Sequence, residues 1–582
     1  MCLLQQESSC MRLYVSVISS SQSMKRNIVL FVALFAVIVS AAADKLPKKV
    51  EKARLSVTSI LAYKDGQLKD DGTAFFVGGN GDVLLSYMLL DEADSAIVID
   101  TKGKVRPVLG IVGLNNIYDC VRVRVAPDKK IPHLVVSHNE VPVGNELYML
   151  AYGKKSSGEV RKVKVSAVDS LYSNAYYTLD IKMQKSYESL PLVNANGELV
   201  AIMQPMTSGD TCSYAISSSI YDRLVTTSVT YGRGYYPGMG IRTLLPEDKE
   251  TALSCMYMQA VVGDSASCGR VVDEFIRAFP ESSEGYMSKA EFLALYCRDM
   301  EIADAQWDKS LSLAENPAEV YFNKAKTIYT IVQGGDTVSH SMLGIASVLS
   351  ALDNAIAADN QPLYMNYKAD VLLENGRYAD AYECYMSLTD ASMHKTDIFV
   401  RAAQCQGALK NYDAAVELMD SALNTLDEAA LRSSSPYILT RALLKSSAGR
   451  YREAVFDYNM YENIMDGGLN ANFYYLRSQA EVNGKMYQQA LNDLEMAISI
   501  EPGNATFHLE KGILCYRVGL LEDAAAALES AKGLAADVAD IYYLLGCTYL
   551  KTGNSRLAEE NLQKAVSLQH PDAAKKLKEL GK

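Results

Sequence analysis

The sequence predicts a multidomain chain in which an all-β N-terminal half is followed by an all-α repeat solenoid. Three observations carry that reading. Residues 471–572 divide into three equal blocks that abut without gaps, Ala471–Asn504, Ala505–Val538 and Ala539–Asp572, with the period of a stacked pair of helices. Residues 54–245 instead show short runs of strand length separated by turn signals. The charge also breaks between the halves, with a net +3 over residues 44–245 and a net −17 over residues 246–582.

The bulk numbers agree. At 582 residues, 49% hydrophobic and 22% charged, the chain is an ordinary globular composition too long for one core. An acidic second half repels phosphate backbones, so nucleic acid is not an expected partner. A solvated helical face accounts for the charge, and a basic protein partner would be attracted to it.

The leader comes first. Met24-Lys25-Arg26-Asn27 is a short basic stretch, Ile28 to Val39 is an apolar run, and Ser40-Ala41-Ala42-Ala43 offers a small-residue cleavage site. This is the pattern of a Sec-type signal peptide over residues 1–43, with Met24 as the expected initiator and Asp44 as the mature start. The apolar run is too short for a comfortable span, no Cys follows it as a lipid anchor, and no later segment is long and apolar enough to cross a membrane. The expected mature protein is exported, periplasmic or secreted, from a bacterium, with no stable membrane span. Nine of the eleven Cys lie beyond the leader, without a CxxC or a metal-ligand spacing. Cys297, Cys384, Cys405, Cys515 and Cys547 fall in helical patterns and read as small buried packing residues.

The β half spans residues 44–225. Runs at Leu55–Tyr63, Thr73–Val77, Asp82–Met88, Ala96–Ile99, Val121–Val125, Leu147–Ala151, Tyr176–Ile181, Leu199–Met203 and Ser213–Ile216 suit strands of a sandwich or barrel. Four segments then follow one another in a telling order: Gly72-Thr73-Ala74-Phe75-Phe76-Val77 with Gly81 to Leu90; Tyr118-Asp119-Cys120-Val121; Ser186 to Asn194 with Gly197 to Ile202; and Tyr214 to Ser218. Together these resemble trypsin-like serine proteases of the bacterial high-temperature-requirement type, which implies a double β-barrel. That family's chemistry requires a His base, an Asp that orients it and a Ser nucleophile. Laid on this chain, the His position is Met88, the Asp position is Asp119 and the Ser position is Glu188. The oxyanion Gly corresponds to Ser186, and the two residues after the nucleophile to Ser189-Leu190. Met accepts no proton, Glu without a base is a poor nucleophile for peptide hydrolysis, and side chains in the oxyanion turn hinder its formation. His133 and His138 both follow Asp119, where the family's His precedes it. The expectation is a degenerate, inactive protease domain. The alternative is an active peptidase with a divergent site using Ser186 or Ser189, with the repeats recruiting substrate.

Residues 226–248, rich in Gly and Tyr, read as a linker or a last strand with a loop. The repeats follow over residues 249–572. In the three tandem blocks, position eight is Ser478, Gly512 or Gly546; position twenty is Ala490, Ala524 or Ala558; position twenty-four is Leu494, Leu528 or Leu562; and position twenty-seven is Ala497, Ala531 or Ala565. Small residues at these places let two antiparallel helices approach closely, and large ones between them fill the seam to the next unit. The register runs backwards through Ala369 and Ala381, Ala403 and Ala415, and Ala442 and Ala454. Weaker blocks start near Ser283 and Ala318, the latter with an insertion around residues 334–340, and a faint one near Lys249. The pattern resembles the tetratricopeptide repeat family, about nine units in all, with residues 573–582 as a capping helix. The resemblance implies a groove that holds a protein or peptide. No Walker A loop, dinucleotide fingerprint, HExxH or EF-hand loop is present, so no cofactor is expected.

Overall fold

The computed structural model describes residues 46–580 apart from 154–157, 173, 183, 206–211, 232–238, 336–343 and 390–394. The leader of residues 1–43 and most of the insertion near residue 334 lie outside the described residues. The chain falls into two compact units that divide between Phe292 and Leu293.

The first unit contains two closed six-stranded barrels. One is built of β1 (Val57–Lys64), β2 (Gln67–Val77), β3 (Asp82–Leu85), β4 (Ser95–Ile99), β5 (Val105–Asn115) and β6 (Cys120–Val125), in the order β1-β2-β3-β6-β5-β4. The other is built of β7 (Glu146–Leu150), β8 (Val160–Leu171), β9 (Asn174–Leu179), β10 (Pro191–Val193), β11 (Leu199–Met203) and β12 (Ser213–Ser217), in the order β7-β8-β9-β12-β11-β10. The two orders are the same, so the second barrel repeats the topology of the first.

Local sequence explains the strands. Asp65-Gly66 joins β1 to β2 with Lys64 opposite Gln67, and both loop residues have positive φ, 51° and 76°. That is the two-residue turn whose twist suits a hairpin. It lets β2 begin at Gln67, although its first half, Gln67–Asp71, is charged and exposed. The strands β5, β8 and β10 were not among the runs picked out above; β8 carries alternating charge and β10 has only three residues. The run Asp82–Met88 is split: β3 stops at Leu85, and Tyr87–Leu89 forms a 3-10 turn capped by Ser86, whose Oγ accepts from the Met88 N–H at 3.1 Å.

Each barrel has its own core, with Ile60, Phe76, Val83, Leu85, Val98 and Val123 inside the first and Leu147, Met149, Val163, Tyr177, Leu192 and Met203 inside the second. A third cluster joins them: Phe75, Leu84 and Tyr118 from the first pack with Leu150, Val193, Ile202 and Ile216 from the second, closed off by Ile220 and Leu224. Residues 239–245 return to the first barrel. Gly240 N–H donates to the Ala93 carbonyl, Ile111 N–H to Arg242 and Leu244 N–H to Ile111, all at 2.7–2.8 Å. A Cβ on Gly110 would stand 2.7 Å from the Arg242 carbonyl oxygen, so only glycine admits this strand-like crossing. The helices Lys249–Val262, Ser265–Ala278 and Ser283–Phe292 complete the unit. Arg242 reaches Glu274 on the second of them at 2.6 Å.

The second unit is a helical solenoid. Its clearest helix pairs are Ala471–Asn483 with Tyr487–Ile500, Ala505–Val518 with Leu521–Leu534, and Ala539–Lys551 with Ser555–Ser567, followed by the helix Ala573–Leu580. Asn470, Asn504 and Asn554 cap three of these helices through their side chains. The small residues stand at the crossings. Ala369, Ala381, Ala403, Ala415, Ala442, Ala454, Ala490, Ala497, Ala524, Ala531, Ala558 and Ala565 are fully buried. At Gly512 and Gly546 a Cβ would lie 2.6 Å from the Cγ of Leu528 and Leu562 respectively. Among the described residues no cysteine is in a disulfide; Cys405, Cys515 and Cys547 are buried, Cys384 is half-buried, and Cys297 is exposed at the end of its helix instead of packing inside.

Candidate functional site

The positions Met88, Asp119 and Glu188 sit on three turns that the two barrels bring towards one another. Met88 rides on the 3-10 turn after β3, with its side chain 58% exposed. Asp119 ends the turn before β6 with a φ of 49°, a left-handed conformation that Asp tolerates better than most residues. Beneath it Tyr118 is locked, donating its hydroxyl proton to the Leu171 carbonyl at 2.9 Å and accepting from Asn174 Nδ2 at 2.9 Å. The Asp119 turn is thereby fixed to the second barrel.

Each oxygen of the Asp119 carboxylate already accepts one hydrogen bond. Its Oδ2 accepts from Ser86 Oγ at 2.6 Å, and its Oδ1 from the Met88 N–H at 3.0 Å. Its own carbonyl accepts from the Tyr87 N–H at 3.3 Å. Burial raises the carboxyl above the usual Asp range; the bonds from Ser86 and Met88 oppose that, and the Glu188 charge adds to it. That last influence puts Glu188 within electrostatic reach of Asp119, which the Met88 N–H binds directly.

Glu188 follows the 3-10 turn Lys185–Tyr187. Its N–H donates to the Lys185 carbonyl at 3.3 Å, and the Ser189 N–H to the Met203 carbonyl at 3.1 Å. Ser189 is buried and has a φ of 61°. Tyr187 anchors the turn from below: its ring lies under the Arg161 guanidinium at 5.3 Å, and its hydroxyl accepts from Arg161 Nη1. An oxyanion site needs amide N–H groups aimed at the developing charge. Here the Glu188 amide is turned back into its own loop.

The two histidines of this domain are occupied elsewhere. His133 Nδ1 contacts the Ile131 carbonyl at 3.2 Å, and His138 Nδ1 lies 3.4 Å from Asp222. Neither hydrogen-bonds Asp119. Among the described residues no group of His, Cys, Asp and Glu is arranged to hold a metal ion, and no helix is long and apolar enough to cross a membrane.

In the solenoid the residues that sequence reasoning missed are ionic. Buried Lys445 and Asp457 form one cluster with the partly buried Arg441, and Arg477, Glu481 and Asp493 stand at the same places in the following repeat. The signal was a charged residue recurring at positions seven, eleven and twenty-three of two consecutive blocks; at eleven and twenty-three the other repeats carry uncharged residues such as Leu372, Cys515, Leu418 and Ala527. Position seven recurs more widely as a cation that reaches back to the preceding helix, as in Lys289 with Asp273, Lys368 with Asp353 and Lys511 with Glu495.

The comparisons with known proteins bear on both halves. No curated protein matches the chain. A solved structure, the serine endoprotease from Yersinia pestis, is similar at 18% identity over 30% of this chain, with a TM-score of 0.26. The match spans 63% of that chain's length. What marks the barrels is their own closure and repeated strand order, which give the double-barrel form of a trypsin-like domain. The tetratricopeptide repeat family matches residues 470–539 and 539–570. The chain thus carries tetratricopeptide repeats behind a trypsin-like double barrel.

Proposed function

We propose that this protein is an exported scaffold that binds a protein or peptide partner through its repeats and carries a protease fold without protease activity. The repeats supply the protein-binding half of the reading. The silent half rests chiefly on one observation: the Asp119 carboxylate is bound by a serine hydroxyl and a backbone N–H, with Met88 where a proton-accepting imidazole would be needed. The Glu188 amide, given to the Lys185 carbonyl, supports the same reading. In this view residues 44–225 are the inactive barrel domain, 226–248 connect it, 249–572 form about nine repeats and 573–582 cap them. Residues 1–43 are removed on export to the bacterial envelope.

The test is a fluorophosphonate probe of serine hydrolases applied to the protein beginning at Asp44, beside a casein digestion assay. The expected outcome is neither labelling nor digestion. Labelling that disappears in Ser189→Ala or Ser186→Ala would instead mean a divergent peptidase whose repeats deliver substrate.

A further inference from the structure

Two consecutive repeats place charged residues inside the solenoid, and their charges do not balance in the same way. In the first, Asp457 is fully buried and accepts from Arg441 at 2.7 and 2.8 Å and from Lys445 Nζ at 2.9 Å. Arg441 also reaches Asp420 at 2.7 Å. Two cations face two carboxylates.

In the second, Arg477 donates to both oxygens of Asp493 at 2.6 and 2.8 Å and to Glu462 at 2.5 Å. The place of Lys445 is taken by Glu481. It is 3% exposed, and its Oε2 has no hydrogen-bond partner. One cation now faces three carboxylates. A buried anion with neither counter-charge nor donor is strongly disfavoured. A proton removes both faults at once, because it cancels one charge and supplies the missing donor towards Asp493.

We propose that Glu481 is a proton site built into the solenoid, holding its acid form at neutral pH as a hydrogen-bond donor to Asp493 and loosening this repeat junction when it ionises. The groups that face it come from each neighbouring helix. Arg477 and Tyr474 share its own helix, Asp493 comes from Tyr487–Ile500, and Glu462 from Tyr451–Met465. The following helix, Ala505–Val518, packs Cys515 into the adjoining core with Leu491 and Leu494; burial raises its thiol, which stays neutral. Lys445, on the preceding helix of the same kind, is held by Asp457. Burial first, then the Asp493 charge, pushes the Glu481 carboxyl up to about 8. A carboxyl raised on folding stabilises fully below its ordinary range near pH 4.3, and that stabilisation is lost as pH rises through the folded value. The junction is therefore firmest in acid, weakens steadily as pH rises through neutrality towards the folded value, and weakens no further beyond it.

Hydrogen exchange of the full chain, followed by mass spectrometry between pH 6.5 and 9.5 and corrected for the intrinsic rate, tests this within one molecule. The segment 471–500 is expected to open about tenfold more per pH unit up to the folded value and to level off above it. The segment 435–465, with Lys445 in the corresponding place, is expected to stay flat. Glu481→Gln, which keeps a neutral donor, should flatten the first segment too. A flat profile over 471–500 in the unmodified protein, an equal rise over 435–465, or an unchanged rise in Glu481→Gln would each overturn the proposal. Should that variant not fold, Glu481→Lys, which copies the preceding repeat, must give the flat profile, and the two segments of the unmodified chain decide the matter by themselves.

Discussion

At the end of β3, Met88 offers Asp119 its backbone N–H and nothing more, while Ser86 occupies the other carboxylate oxygen. On the function proposed above, restoring side chains alone would therefore not make a hydrolase. In Met88→His/Glu188→Ser the imidazole would still compete with Ser86 for Asp119, and the amide at position 188 would still be given to the Lys185 carbonyl. Losing one oxyanion donor costs roughly 3 kcal/mol of transition-state stabilisation in enzymes where it has been measured. The expected result is that the double variant stays unlabelled by a fluorophosphonate probe. Labelling would mean that residue identity, and not the turn, decides whether the site reacts. The strands that carry Met88, Asp119 and Glu188 towards one another were partly legible in the sequence because they keep recognisable motifs. The hydrogen bond from Ser86 and the inward turn of the Glu188 amide were not, since both depend on loop conformation rather than on residue type.

Helix pairs were legible for a different reason: a small residue at a crossing is imposed by geometry and recurs with the repeat. Gly512 and Gly533 separate that demand from simple helix propensity. A Cβ at Gly512 would meet the Leu528 side chain at 2.6 and 2.8 Å, whereas at Gly533, in the helix Leu521–Leu534, nothing lies within 4 Å. Gly512→Ala gains about 1 kcal/mol of propensity but overpacks a close crossing, at a typical cost of about 1–3 kcal/mol. Gly533→Ala gains propensity with no clash. Chemical denaturation should show the first variant less stable than the parent and the second more stable, by up to about 1 kcal/mol. Two stable variants would mean that the Leu528 side chain moves aside freely. The ionic layer was hidden from the same pattern because Arg477, Glu481 and Asp493 sit at seam places where long polar side chains, read singly, look like solvent-facing residues. Only their burial and mutual distances show that they face inward.

At the scale of the first unit, the boundary between barrels and repeats is not a free linker. Thr226 Oγ1 donates to the Val112 carbonyl at 2.7 Å, and a Cβ on Gly113 would collide with the Leu224–Val225 backbone at 2.2 Å. Met239 and Ile241, each 8% exposed, then add to the core of the first barrel. A protein ending at residue 225 would strip β5 of the Arg242 and Leu244 backbone bonds and uncover Ile111. Burying a side chain of this size contributes about 1.5–3 kcal/mol, so losing Met239 and Ile241 together removes several kcal/mol, a large part of the stability of a typical domain. Arg124 adds to the tie by pairing with both Asp82 and Glu247, which joins the buried floor of β3 to the start of the helices. Thermal unfolding of residues 46–225 against residues 46–292 is the direct measurement. The shorter protein is expected to melt well below the longer one, or to aggregate. Equal melting temperatures would mean that the barrels close without residues 239–245, and that this segment only decorates the outside of β5.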